Sequence, residues 1–272
     1  MLILVGLLIS IGASLGTYFG FGFHNMSLWY LLLLLVFLIT YFVLYLNVYW
    51  LLVLIRIFKY RKIEFPGKVD KLNLFNVRLV SSFVLTLNGI FIKKKNFVTK
   101  DKPAGLYLFN HITDYDPWAI YKVMHGKYAL VGKKALRGIP MIRALASSIG
   151  TLYVDNGDIE LNKLMVEHAK EYITEKDTSV VVAPEGTRSF DGKIREFKHG
   201  CFHIAKECKC PIYFIGFKGM EKATHKSKLK AVRVQIELFG ELQPEEYKDL
   251  SAGEIALLCE KKYRDYLGQS YE

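Results

Sequence analysis

Residues 105–118 read GLYLFNHITDYDPW and combine three features that decide the fold. An apolar run typical of a buried strand leads directly into His111, and the polar loop that follows carries two carboxylates. Asp116 and Pro117 have the residue types of a helix N-cap and a first helical position, so we expect Asp116 to cap a helix. A strand, a polar tip and a helix start in direct succession are typical of one unit of an α/β domain.

The same alternation continues towards the end of the chain. The predicted strands are GLYLFN, KYALVGK, TLYVD, SVVVAP, PIYFIGF and VRVQIELFG. The predicted helices cover residues 117–124, 141–148, 159–174 and 197–207, and a last helix begins at Ser251, which has the spacing of a capping box to Glu254. This order predicts an α/β fold with a mixed, largely parallel sheet flanked by helices. Strict alternation in VRVQIELFG predicts an edge strand with one wet face.

The N-terminal part is quite different, because no charged residue precedes Arg56. Residues 2–23 and 28–57 form two apolar stretches, each longer than the ~20 residues that a bilayer core requires. The second is apolar on all sides, which excludes a half-buried soluble helix. A signal peptide fits the first poorly, since no Lys or Arg precedes it and a second apolar run follows. We therefore expect a two-helix membrane anchor over residues 1–57, either as two spans or as a hairpin in one leaflet.

Basic residues follow the second apolar stretch at once, at Arg56, Lys59, Arg61 and Lys62. Such residues stay on the cytoplasmic side of a membrane helix, which places the rest of the chain on the cytoplasmic face. Residues 58–103 are predicted to be an amphipathic, basic connector at the membrane surface, and 104–272 to be the α/β domain. Although the net charge is +11, acidic residues are interspersed and no nucleic-acid-binding motif occurs, so we expect no nucleic-acid partner.

Polar side chains follow two of the predicted strands at their carboxyl ends, where ligand sites form in such sheets. His111 follows the first strand, and a turn can bring its imidazole onto Asp116, as in the base and orienting acid of acyl-transfer enzymes. No G-x-S-x-G nucleophile motif occurs, so the reacting hydroxyl would belong to the substrate. The alternative is a polar turn without chemistry.

The second polar motif, PEGTRS, follows the strand SVVVAP. It offers backbone N–H groups at Gly186 and Thr187, and the Arg188 guanidinium, which suits bidentate phosphate recognition. A simple turn with a surface salt bridge is the alternative. The grouping of Cys201, His203, Cys208 and Cys210 matches none of the common zinc spacings, so we expect free thiols and no metal site.

In this order, NHITDYD, APEGTRS and CPIYFIGF resemble the blocks of the glycerolipid acyltransferase family, best known for 1-acylglycerol-3-phosphate acyltransferases. His111 and Asp116 match its H-x-x-x-x-D block, and residues 185–189 match E-G-T-R-S in full. Further matches are Lys133, Pro140, Gly150, Asp155, Phe197, Lys198, Gly200 and Pro211. Four blocks in order across 109–217 are far more specific than any one of them.

The resemblance implies a membrane-bound acyltransferase of phospholipid biosynthesis. It would move a fatty acyl group from acyl-CoA or acyl carrier protein to a lysophospholipid, converting 1-acylglycerol-3-phosphate (lysophosphatidic acid) into phosphatidic acid. His111 would be the base and Asp116 its orienting acid. The acceptor's phosphate would be bound by Glu185, Gly186, Thr187, Arg188, Lys133 and Lys198. The resemblance implies no cofactor, and backbone N–H groups near Gly186 are candidates for the oxyanion donors.

Two positions depart from the family pattern. Asn156 stands where an Arg is usual, and Ala135 where a Glu is common. Because that Arg is associated with the acceptor's phosphate, another lysolipid or a non-phosphate acceptor is an alternative. A catalytically silent lipid-binding module is the alternative from another class, but a mere binder has no need of His111.

Overall fold

The computed structural model of the protein describes residues 8–12, 14–15, 26–63, 65, 68–99, 101–155, 157–224 and 230–270. The chain divides into two units, Met1–Lys59 and Tyr60–Glu272. In the first unit, helix α1 covers Met26–Phe58. The predicted first apolar stretch, residues 2–23, lies mostly outside the described residues, so the two-helix anchor stays a prediction.

The second predicted apolar stretch is helical, as expected. Within α1, Leu32–Phe58 comprises 27 residues with a mean hydropathy of 2.3. Among the described residues it is the one helix whose length and composition would allow it to cross a membrane.

The second unit contains a seven-stranded sheet whose strands are ordered β1-β7-β6-β2-β5-β3-β4. The strands are β1 (Ile90–Lys95), β2 (Leu106–Phe109), β3 (Tyr128–Lys133), β4 (Leu152–Val154), β5 (Ser179–Val182), β6 (Ile212–Lys218) and β7 (Val232–Leu242). Neighbouring strands are parallel except β6 and β7. The predicted mixed, largely parallel sheet is therefore confirmed.

Helices cover both faces of this sheet. They are α2 (Lys71–Leu87), α3 (Asp116–Val123), α4 (Pro140–Ser148), α5 (Ile159–Thr174), α6 (Phe202–Cys208), α7 (Pro244–Tyr247) and α8 (Ala252–Leu267). One core cluster joins the sheet to α5, α6 and α8, and the other joins it to α2 and α3. The predicted capping box is present: Ser251 Oγ accepts the Glu254 N–H at 3.2 Å, and the Glu254 carboxylate accepts the Ser251 N–H at 2.7 Å.

Two predictions about the sheet were wrong. Strand β7 is not an edge strand, since it lies between β1 and β6. The edge strand next to β7 is β1, which falls within the predicted connector of residues 58–103, so the sheet begins at Ile90 and not at 104. The three lysines that end β1 give it the composition of a connector, and only its pairing with β7, Ile90 opposite Val232, makes it a strand.

The helix predicted over residues 197–207 begins only at Phe202. Residues 194–198 instead form an extended segment, which we call the strap. The Phe197 N–H donates to the Glu260 carboxylate of α8 at 3.0 Å, and the Arg195 N–H donates to Glu185 at 2.9 Å. The first N–H groups of a helix have no partner within the helix. In the strap these N–H groups are hydrogen-bonded to distant carboxylates, and the helix therefore begins later.

Candidate active site

The site is built on the carboxyl ends of two neighbouring parallel strands. Leu108 of β2 lies opposite Val182 of β5, so both strands end at the same edge of the sheet. His111 follows the end of β2 closely, and Glu185 follows the end of β5. The register of this strand pair therefore brings two motifs together that are separated by 74 residues in the chain.

The first motif forms a close pair. The His111 Nδ1 lies 2.8 Å from the Asp116 Oδ2. The Asp116 side chain is fully buried, whereas that of His111 is 21 % exposed. Because a carboxylate only accepts hydrogen bonds, Nδ1 carries the proton in this contact and Nε2 keeps its lone pair. The imidazole is thus held as a base whose free nitrogen points away from the acid.

Asp116 does not cap helix α3, in contrast to the prediction. The N-cap position is taken by Tyr115, which makes no side-chain cap bond. The Asp116 Oδ2 accepts the Ile112 N–H at 2.6 Å and the Thr113 N–H at 2.9 Å, while Oδ1 accepts the Thr113 hydroxyl at 3.0 Å. The carboxylate turns back onto the preceding loop, because that loop supplies four donors to one buried charge.

Glu185 is also buried, and both of its oxygens are occupied. Its Oε1 accepts the N–H of His111 at 2.8 Å, and its Oε2 accepts the N–H of Arg195 at 2.9 Å. Burial raises the pKa of this carboxyl to about 7, and the nearby charge of Asp116 adds to the rise, although the two amide bonds oppose it.

The remaining predicted residues lie around this centre, with different partners. Arg188 forms an ion pair with Asp114, inside the loop that carries the His111 side chain. The side chain of Lys198 lies against Gly186, since a Cβ on that glycine would sit 3.2 Å from the Lys198 Nζ. Thr187 is exposed beside them. These residues supply cations and a hydroxyl at the rim of the site.

Two positions are less closely tied to it. Lys133 is exposed at the end of β3, and no hydrogen bond among the described residues joins it to the other site residues. Asn156, the departure from the family pattern, lies outside the described residues. The Gly186 N–H donates to the Ala183 carbonyl at 3.1 Å. The expectation that backbone N–H groups near Gly186 are the oxyanion donors stays a prediction.

Sequence reasoning missed a clamp beside the histidine. The Asn110 side chain accepts the Phe217 N–H at 2.8 Å and donates to the Phe217 carbonyl at 3.2 Å, tying the tip of β2 to β6. The Ser189 N–H donates to the His111 carbonyl at 2.8 Å. The only signal in the sequence is an Asn at a strand end before a His, and its partner lies 107 residues away.

Part of the chain matches a family of known proteins. The Acyltransferase family model matches residues 90–218, from the first residue of β1 to the last of β6. Over these residues, which make up just under half of the chain, the protein is similar to the acyltransferase family. The match includes the His111–Asp116 pair and the whole of the EGTRS motif.

Several relatives are named 1-acyl-sn-glycerol-3-phosphate acyltransferase. One from Limnanthes douglasii is 27 % identical over 158 residues, which cover 58 % of this chain and 56 % of the relative. One from Escherichia coli is 25 % identical over 155 residues, covering 57 % and 63 %. The chain thus matches only somewhat more than half the length of such relatives.

A solved structure shares the fold. The crystal structure of the 1-acyl-sn-glycerophosphate (LPA) acyltransferase from Thermotoga maritima has a TM-score of 0.55 and 18 % sequence identity, covering 73 % of this chain and 81 % of that one. At this identity the likeness shows the architecture alone, which agrees with the sheet and helices described above.

Proposed function

We propose that this protein transfers an acyl group from an acyl thioester to the free hydroxyl of a lysophospholipid, with 1-acylglycerol-3-phosphate as the acceptor and phosphatidic acid as the product. The observation that carries the proposal is the His111 Nδ1–Asp116 Oδ2 contact of 2.8 Å, between a fully buried acid and a partly exposed imidazole. The relatives bearing this activity in their names support the choice of acceptor.

The reaction follows from the tautomer that Asp116 imposes. The His111 Nε2 takes the proton of the acceptor's hydroxyl as that oxygen forms a bond to the thioester carbonyl carbon. Asp116 stabilises the resulting imidazolium. The carbon–sulfur bond then breaks, and a thiolate leaves without a strong acid, since thiols ionise near pH 8.5. Every step is a proton or acyl transfer, so the reaction requires no electron carrier or cofactor beyond acyl-CoA or acyl carrier protein as donor.

The acceptor's phosphate would lie at the rim, where Arg188 and Lys198 provide positive charge. Arg188 is the better candidate because its planar guanidinium can grip two phosphate oxygens at once. Its contact with Asp114 would then be exchanged for the phosphate. Lys133 would contribute as a more distant point charge.

The acceptor reaches the site from a lipid surface. Helix α2 carries an exposed apolar row, the α2 stripe, whose side chains are about half to two-thirds exposed: Leu72, Phe75, Leu79, Phe83 and Leu87. Their spacing of three and four residues aligns them on one side of the helix. With α1 as the anchor, this stripe would rest in the interface, on the cytoplasmic face.

The test is an assay of the full chain in detergent or vesicles with a labelled acyl-CoA and lysophosphatidic acid. Lysolipids with other headgroups, and glycerolipids without phosphate, are compared in parallel. We expect transfer to lysophosphatidic acid that is lost in His111→Ala. Transfer only to another acceptor would replace the proposed acceptor, and undiminished transfer by folded His111→Ala would refute the mechanism.

A further inference from the structure

Glu185 is placed among the phosphate-binding residues by the family resemblance, but its surroundings point to another role. The side chain is 2 % exposed. Its two oxygens accept backbone N–H groups from opposite sides, that of His111 at 2.8 Å and that of Arg195 at 2.9 Å. Because the side chain is almost completely buried, a headgroup could reach these oxygens only if the surrounding segments moved away.

The charge around Glu185 also opposes phosphate binding. No ion pair among the described residues includes this carboxylate, although the motif carries the partly exposed cation Arg188, which pairs with Asp114 instead. Burial raises the pKa of the carboxyl to about 7, and the charge of Asp116 contributes to the rise. The Asp116 charge repels a phosphate at this place, and Glu185 adds to the repulsion in its ionised form, because all three groups carry the same sign of charge.

The hydrogen bonds show what Glu185 connects. The His111 loop is bonded to the EGTRS motif at a second point, where the Ser189 N–H donates to the His111 carbonyl at 2.8 Å. Residue 111 is thus held at its N–H by Glu185 and at its carbonyl by Ser189. Through Arg195, the same carboxylate also fixes the strap.

We infer that Glu185 is a positioning residue, which holds the backbone of His111 so that the imidazole faces the acceptor, and that it does not contact the acceptor's headgroup. This inference rests on the proposed function and assigns one residue a different part in it. The cations of the rim, and not Glu185, then account for recognition of the phosphate.

Glu185→Gln tests the inference. Glutamine has the same shape but a single acceptor oxygen, so its NH2 group faces one of the two N–H donors and one hydrogen bond is lost. We expect kcat to fall tenfold or more, while the KM for lysophosphatidic acid stays within twofold. A raised KM with unchanged kcat would overturn the inference.

A double variant separates positioning from binding. In a His111→Ala background, Glu185→Gln should leave the residual transfer rate unchanged, because the group that it positions has gone. A further loss in the double variant would show that Glu185 acts on the substrate directly. If His111→Ala itself were fully active, the proposed function would fail and not this inference.

Folding and acceptor binding are checked independently of turnover. Lysophosphatidic acid should raise the Tm of Glu185→Gln in detergent as much as that of the unchanged protein, and loss of that shift in a folded variant would contradict us. Where Glu185→Gln does not fold, Glu185→Asp serves for the same comparisons. The matched control is Glu237→Gln, a glutamate of similar burial that bonds to Lys95, Gln235 and Tyr266 instead, and its kcat should not change.

Discussion

Two buried acids lie beside one histidine, and the sequence separation of their partners distinguishes them. All four donors to Asp116 come from residues 111–113, immediately before it in the chain. The donors to Glu185 lie 74 and 10 residues away. Asp116 therefore organises a local loop, whereas Glu185 joins segments that only the folded sheet brings together.

Asp116→Asn should separate charge from geometry at this residue. An amide oxygen in place of Oδ2 still accepts the loop's N–H groups, and its NH2 can donate to the Thr113 hydroxyl, so the fold should persist. The imidazolium loses its stabilising charge, and we expect kcat to fall by on the order of 10²–10⁴-fold. Steady-state kinetics with a Tm measurement checks this, and a variant with near-normal kcat would exclude Asp116 from the mechanism.

The pH dependence of stability gives a second prediction for Glu185. Its pKa rises from the ordinary 4.5 to about 7 on folding because of burial. Such an acid favours the folded state most fully below pH 4.5, and this contribution is lost as the pH rises through 7. The difference corresponds to about 3 kcal/mol.

Glu185→Gln cannot titrate there, so relative to it the unchanged protein should lose Tm between pH 4.5 and 8. If the Tm curves of the two proteins, recorded in detergent, run parallel over this pH range, folding does not raise the pKa of the Glu185 carboxyl.

At the scale of elements, the C-terminal helix α8 supports the site through the strap. The Glu260 carboxylate accepts the Phe197 N–H at 3.0 Å and the Arg264 Nε at 2.9 Å. The Arg264 guanidinium in turn donates to the Ile194 carbonyl at 3.3 Å. A helix on one face of the sheet thereby fixes the segment whose amide at residue 195 holds Glu185.

Glu260→Ala should loosen that segment. It removes one partner of a buried ion pair and leaves the Phe197 N–H without its acceptor, which costs about 3 kcal/mol. We expect faster hydrogen exchange over residues 194–198 and a lower kcat. Glu254→Ala is the control, because losing an exposed capping box destabilises α8 by only about 1 kcal/mol. Equal exchange in both variants would disprove the supporting role of Glu260.

At the scale of the whole molecule, exposed apolar side chains on α1 and α2 bear on the proposed binding to a membrane. Leu34, Leu38 and Phe42 of α1 are more than half exposed, and α2 adds the row of the α2 stripe in the other unit. Arg56 lies in the last turn of α1, and Lys59, Arg61 and Lys62 follow it in the segment that leads to α2. An anionic membrane surface attracts such residues at about 1 kcal/mol each.

Replacing both phenylalanines of the α2 stripe, Phe75→Ser with Phe83→Ser, tests its contact with lipid. Together they would forfeit about 2 kcal/mol of burial in the interface. We expect transfer to acceptor presented in vesicles to fall severalfold, with little change in detergent micelles.

The control is Leu257→Ser, an exposed apolar residue on α8, which packs on the other face of the sheet. Equal losses in vesicles and micelles would mean that the stripe serves the fold and not the membrane.

The sequence by itself determined the α/β order, the apolar N-terminal helix, the strand ends that carry both motifs, and the His111–Asp116 contact. These depend on periodicity or on residues within about five positions, where the short chain leaves few conformations. Only the tertiary structure decided that β1 is a strand, that Asp116 bonds its own loop and not the helix, and that Glu185 holds the N–H of His111. The pairing of β1 and the bond of Glu185 depend on which distant group lies nearest once the sheet has formed, and strand register sets that, not spacing along the chain. The partners of Asp116 are local, but its own loop and the start of the helix compete for the same carboxylate, and only the folded loop shows which of them it bonds.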